Sequence, residues 1–192
     1  MPEPTRRGPY AKGIARRQQI LREALAAYAE SDSAGPSLRA IAKRTGLSER
    51  GLLHYFPARD ELFVAILAER DAADRATFDP DGPLDDLAGV TAHSAKTPGL
   101  VRLFLEMAAA APDPAHAAHG FFTRRYRELR EILARKFGRS PRRESPPPVD
   151  ADFAARILIA ASDGLQTQWL LDPSIDLEDD LDRLAKLLQA AR

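Results

Sequence analysis

The 192-residue chain has no cysteine. That absence excludes disulfides, thiolate zinc sites and a cysteine nucleophile. No run of about 18 apolar residues occurs, so no membrane span is available. The opening MPEPTRRGPYAKG lacks the apolar centre of a secretory signal, which points to a cytoplasmic protein. Catalytic signatures are missing as well. There is no Gly-rich phosphate loop, no HExxH pair and no serine in a nucleophile elbow, and no carboxylate is singled out by its setting. An enzyme is therefore disfavoured, and no cofactor is expected.

Net charge is absent too, with 28 Lys/Arg against 28 Asp/Glu, but the balance is uneven along the chain. Residues 1–59 carry 11 basic and 5 acidic side chains, and residues 60–192 carry 17 and 23. A basic first third on an acidic remainder fits a polyanion partner met by the N-terminal part alone. Solubility produces such splits as well.

What the chain does have is helical periodicity throughout, with no alternating strand pattern, and the expected fold is all-α. A first helix is expected over 12–30, with Ile14, Leu21, Ala24, Leu25 and Tyr28 on one face. Gly35 and Pro36 break it. Ser37 is placed to cap a short helix ended by Gly46, and Ser48 to cap "ERGLLHYF", which Pro57 stops. Further helices are expected over 58–76, 84–96, 99–111, 114–137, 150–171 and 176–190, with 138–149 as a Pro- and Arg-rich loop.

Two short helices joined by "TGLS" have the proportions of a helix–turn–helix, with Ile41 and Leu52 packing, Ala42 permitting close approach and Gly46 the sharp turn. An ordinary helical hairpin is the bland alternative. Three aromatic rings in a row, His54, Tyr55 and Phe56, cannot all face one core, so at least one looks outward.

Residues 12–70, through "ILREALAAYAE" and "SLRAIAKRTGLSERGLLHYFPARDELFVAIL", resemble the DNA-binding domain of TetR-family transcriptional repressors. The C-terminal "LIAASDGLQTQWLLDPSIDLEDDLDRLAKLL" resembles, more weakly, the last two helices of one subset of that family. The resemblance implies an N-terminal three-helix domain (1–57, with its arm), a connecting helix (58–76) and a helical ligand-binding and dimerisation domain (77–192). It implies a recognition helix over 48–54, with His54 and Tyr55 donating to phosphates and Phe56 packed inward. Chemistry agrees, because a phenol or imidazole N–H donates to phosphate and a phenyl ring does not. A half-buried Tyr55 with a wet hydroxyl and a merely solvated His54 are the competing readings. Arg59 matches the family's usual basic residue at the start of the next helix. Ser37 and Arg39, at a helix N-terminus, are similar phosphate candidates.

Base readout falls to Ser48, Glu49 and Arg50, with Lys43 or Arg44 at the rim. Arg50 suits guanine and Glu49 suits cytosine. Arg6, Arg7, Lys12 and Arg16 are candidates for a backbone- or minor-groove-binding arm. Gly51 and Leu53 depart from the family pattern, so the operator cannot be copied from a relative.

The resemblance also implies a homodimer through the two C-terminal helices, whose apolar faces offer Phe153, Ile157, Leu158, Leu165, Leu181, Leu184 and Leu188 to a four-helix bundle. It implies an inducer pocket, with Phe104, Met107, Phe122, Tyr126, Gln166 and Trp169 as candidate walls. Aromatic and Met side chains at helical spacing also serve as plain core, and Trp169 suits the dimer interface equally. His116 and His119 have a metal-like spacing without a third ligand nearby, and solvated histidines at a helix start are the preferred reading. The Arg-rich 124–143 stretch reads as the outer face of a helix rather than a second polyanion site. The expected function is a ligand-responsive regulator, a repressor, on a palindromic double-stranded DNA operator. The rival is a helical protein–protein adapter.

Overall fold

The computed structural model describes residues 9–31, 34–77, 97–138 and 149–191. Among them are eight helices and no strand: α1 (Pro9–Ala29), α2 (Leu38–Arg44), α3 (Glu49–Tyr55), α4 (Arg59–Thr77), α5 (Pro98–Ala110), α6 (His119–Gly138), α7 (Ala151–Leu171) and α8 (Leu177–Ala190). No helix among the described residues is long and apolar enough to cross a membrane. The segment expected as a helix over 84–96, residues 139–148 of the expected loop, and Arg6 and Arg7 lie outside the described residues.

Side-chain caps start four of the helices. Ser37, Ser48, Asp150 and Asp176 each accept from a backbone N–H in the first turn that follows, satisfying donors a helix leaves orphaned. Pro98 sits at the start of α5, where its missing N–H costs nothing.

One core runs from α1 through α2, α3 and α4 into α5 and the start of α6, built on Ile20, Ile41, Leu52, Phe56, Leu62, Ile66, Phe104 and Phe122. A second joins α6, α7 and α8 through Leu133, Phe137, Leu158, Leu181 and Leu188. Helix α4 contributes Leu62, Phe63, Ile66 and Leu67 to the first core. Its ion pairs Asp71–Arg125 and Arg75–Glu128, both 2.8 Å, hold it to α6.

Three expectations are corrected. Ile14 is 45% exposed, because α1 has not yet reached the body of the protein there, and Ile20 fills the core in its place. Helix α6 begins at His119 rather than near 114, since local turns around Asp113 and His116 compete with helix. The apolar set expected at the dimer interface divides: Leu158, Leu181 and Leu188 are buried within the subunit, Leu165 and Leu184 pack against its core, and Phe153 and Ile157 face solvent.

Candidate DNA-binding surface

The turn between α2 and α3 is anchored on every side. Leu47 N–H donates to Ala42 O at 2.8 Å and Gly46 N–H to Lys43 O at 3.1 Å, with Gly46 at φ +68°. This paired closure needs a left-handed residue after the helix, which glycine supplies without a Cβ penalty. Thr45 is buried, and its hydroxyl donates to the Ile41 and Ala42 carbonyls. From α1, the Arg16 guanidinium donates to Thr45 O at 2.6 Å, placing a cation at the C-terminus of α2. Arg44 forks onto Glu30 and reaches Glu23 at 3.1 Å, tying α2 to α1 a second time.

On α3, Ser48 accepts from Gly51 N–H at 3.1 Å through one lone pair, which leaves its hydroxyl proton pointing away from that bond. Glu49, Arg50, Leu53 and His54 are exposed together on the outer face, Tyr55 is half-buried, and Phe56 is 1% exposed. The aromatic run thus divides in the expected sense. His54 and Tyr55 meet edge to face at 5.5 Å. Phe56 plugs the core beneath the Arg17 guanidinium, 4.5 Å from the ring centroid.

Ser37 caps α2 by accepting from Ala40 N–H at 3.1 Å. Arg39 and Lys43 are exposed one helical turn apart on α2. Arg59 lies over the Phe63 ring at 4.7 Å with its side chain exposed. Ser37 and Arg59 border one groove of about 430 Å³, closed from the other side by Arg102 and Glu106 of α5. Tyr28 also lines it. Its hydroxyl is pushed up to about 12, first by burial and then by the Glu106 charge, with Arg59 opposing, so it stays a donor at neutral pH.

Two of the proposed nucleic-acid contacts are corrected. Arg44 is occupied by Glu30 and Glu23, and Arg16 by Thr45 and Gln19, so neither is a ready phosphate or base ligand. The Arg16–Thr45 bond and both Arg44 pairs span 14 to 29 residues of sequence and are not legible from local pattern.

In the C-terminal part, Phe104, Met107 and Phe122 are buried together, with ring centroids of Phe104 and Phe122 5.2 Å apart and Tyr126 5.8 Å from Phe122. Tyr126 donates to Asp163 at 2.6 Å. Burial raises the Asp163 carboxyl above its ordinary range against that bond and the Arg125 charge, and burial also raises the Tyr126 phenol. Gln166 donates weakly to Ser162 at 3.4 Å. Trp169 stands apart, packed on Val101 and Leu177 inside the subunit. None of these six candidate residues lines the groove by Arg59, or a second of about 400 Å³ bordered by Arg17, Glu61 and Arg124.

His116 and His119 are half-buried and hydrogen-bonded rather than simply solvated. His116 meets Asp60 at 3.2 Å, and the His119 Nδ1–H donates to Ala111 O at 2.9 Å. No group of three or more metal-ligating side chains occurs among the described residues. The Arg-rich face of α6 is partly neutralised by Arg125–Asp71 and by Arg130–Asp152 at 2.8 Å.

A capped, braced helix–turn–helix with an outward basic face, packed on a larger set of helices, defines a helix–turn–helix DNA-binding protein. Two family profiles match the chain: bacterial regulatory proteins of the tetR family over residues 20–66, and the BetI-type transcriptional repressor C-terminal region over 87–191. The chain belongs to the TetR family of transcriptional regulators, which are non-enzymatic DNA-binding proteins.

Solved structures share the fold. A TetR transcription regulator from Haloarcula marismortui ATCC 43049 aligns with TM-score 0.69 and 21% identity over 93% of this chain and 96% of its own. A transcriptional regulator from Rhodococcus sp. Rha1 gives 0.67 and 20% over 91% and 96%. SmeT, the repressor of the Stenotrophomonas maltophilia multidrug efflux pump SmeDEF, gives 0.61 and 22% over 91% and 89%. No curated protein matches significantly in sequence.

Proposed function

We propose that the chain is a homodimeric repressor that binds a palindromic operator and is released from it by a small molecule. The observation carrying this reading is the outer face of α3, where Ser48, Glu49, Arg50, Leu53 and His54 are exposed on a helix whose turn is fixed by Gly46, Thr45 and Arg16. In this reading residues 1–57 bind DNA, 58–76 connect, and 77–192 bind ligand and dimerise in the cytoplasm. Arg50 and Glu49 read bases. Ser37, Arg39, His54, Tyr55 and Arg59 hold phosphates.

A dimer is required because one short helix reads too few bases, and two copies meet half-sites about 34–36 Å apart. The face left uncovered on α7 and α8, with Phe153, Ile157, Leu171 and Leu187 exposed, supplies apolar area for that contact. Phe104, Met107, Phe122, Tyr126, Gln166 and Trp169 remain the candidates for the pocket. The match to BetI-type repressors and the repressor role of SmeT support repression. A ligand shifts DNA affinity only through its different affinity for the two headpiece arrangements.

Selection of bound sequences from a random DNA pool tests this reading. An enriched palindrome supports it, and no enrichment transfers the hairpin to the protein-adapter reading.

A further inference from the structure

The turn between α5 and α6, residues 111–118, is wound tightly on itself. Asp113 accepts from Ala115 N–H at 2.9 Å, and His116 N–H donates to Asp113 O at 3.0 Å. At the far end, His119 N–H donates to His116 O at 3.0 Å, and the His119 ring closes onto Ala111 O. Ala111 and Ala118 are buried beneath it. Within this turn the His116 ring is oriented at both nitrogens. Ala118 N–H donates to Nδ1 at 3.2 Å, so that nitrogen presents a lone pair and the ring proton resides on Nε2. Nε2–H then donates to Asp60 Oδ2 at 3.2 Å, across 56 residues of sequence.

Asp60 is the second residue of α4. It follows Arg59 and lies just past Phe56, Pro57 and Ala58, the connection that joins α4 to the recognition helix. The turn that holds His116 hangs from the C-terminus of α5, the helix that carries Phe104 and Met107. One polar bond therefore joins the end of the ligand-domain helix to the root of the DNA-binding headpiece. Packing of α5 on α1 and α4, and the α4–α6 ion pairs farther along α4, join the same two parts, but this contact is the one at α4's first turn that joins the α5–α6 turn to it.

We propose that His116 is a positioning residue whose Nε2–H bond to Asp60 sets the orientation of the headpiece, and that displacement of the 111–118 turn releases it. The bond differs from packing contacts in being directional: a shift of about 1 Å takes it outside hydrogen-bonding distance, while apolar contacts slide. The consequence for DNA affinity rests on the function proposed above. The consequence for headpiece orientation does not.

Isosteric variants separate the two nitrogens. His116→Asn places an amide oxygen near the Nδ1 position, so the turn keeps its acceptor for Ala118 while the reach to Asp60 is lost. His116→Gln places an amide N–H near the Nε2 position and keeps the bond to Asp60. The cysteine-free chain permits spin labels at Gln18→Cys on α1 and Glu131→Cys on α6, both exposed. Their distance within one subunit, measured with labelled chain diluted in unlabelled chain, reports headpiece orientation.

His116→Asn and Asp60→Ala should each broaden or shift that distance distribution and weaken DNA affinity about three- to tenfold. The double variant should be no worse than either alone, and His116→Gln should behave as the unsubstituted protein. Distributions unchanged in both His116→Asn and Asp60→Ala would overturn the proposal, as would additive effects in the double variant. A chain whose distances respond as expected but which binds no DNA would keep the His116–Asp60 link and remove the operator reading instead.

Discussion

The Arg16 guanidinium of α1 donates to the Thr45 carbonyl at the end of α2, 29 residues away and at 2.6 Å. The bond places a cation at a helix C-terminus and satisfies a carbonyl in the turn that orients α3. Arg16→Ala should therefore cost roughly 1–2 kcal/mol of stability, measured by denaturant unfolding. Because the side chain is committed inside the headpiece, the salt dependence of DNA binding should keep its slope. A shallower slope with unchanged stability would make Arg16 a phosphate contact.

Glycines in the headpiece should respond in opposite directions. Gly51 lies in α3 with a helical backbone, and a Cβ there meets its nearest neighbour, Ser48 Oγ, at 3.4 Å, an ordinary contact. Gly51→Ala should raise stability by about 0.5–1 kcal/mol. Gly35 sits at φ +68°, and a Cβ there would come within 2.8 Å of the Tyr28 ring. Gly35→Ala should cost about 1–3 kcal/mol. Thermal melts of the two variants decide the signs.

These positions also show how far the sequence carries. Ser37, Ser48 and Gly46 were legible because capping and left-handed turns act over three or four residues, and each does what its local pattern requires. Asp150 and Asp176, expected as helix starts, are caps for the same reason. The division of His54, Tyr55 and Phe56 followed from helix geometry and the chemistry of each ring. Arg16, Arg44 and His116 were misread because their partners lie 14 to 56 residues away. A basic side chain near a suspected interface looks like a ligand, and an imidazole at a helix start looks solvated, until its fold partner is known. The C-terminal faces were legible only in part, since periodicity marks Leu158 and Ile157 as apolar without saying which packs inside the subunit.

The dimer depends on the second of those. Ile157→Glu or Leu187→Glu should weaken self-association by at least about tenfold, since each removes the burial of an aliphatic side chain worth roughly 1.5–3 kcal/mol. Sedimentation velocity over a concentration series reads it. The subunit fold should persist, because both side chains are exposed within it. Unchanged association would move the interface off α7 and α8.

Asp163 sets a pH dependence of defined sign. Its folded-state carboxyl is raised by burial, so the native chain holds that proton more tightly than the unfolded chain. Its contribution is most favourable below the ordinary Asp range and is lost as pH rises through the raised value. Asp163→Asn keeps an acceptor for Tyr126 and removes the charge. The variant should lose that part of the pH profile and be no less stable than the unsubstituted chain at neutral pH. A marked loss at neutral pH would show that the ionised carboxylate is itself stabilising.

Tyr55→Phe and Arg50→Ala should separate positioning from readout. Loss of the Tyr55 hydroxyl should weaken binding evenly across sequences. Arg50→Ala should cost about 1–3 kcal/mol at one base position and relax the preference there. Binding isotherms on a selected site and its single-base variants distinguish the two patterns.

The central claim is that this chain grips double-stranded DNA through cations set around α3, and affinity for the selected sequence across a salt series tests it most directly. With Arg39 and Arg59 on phosphates in each of two subunits, the logarithm of affinity should fall with the logarithm of salt at a slope of about −3.5 or steeper. Arg59→Ala should make the slope shallower by roughly 1–2, one phosphate being lost in each subunit. A flat salt response, or no difference between random and selected DNA, would contradict the account.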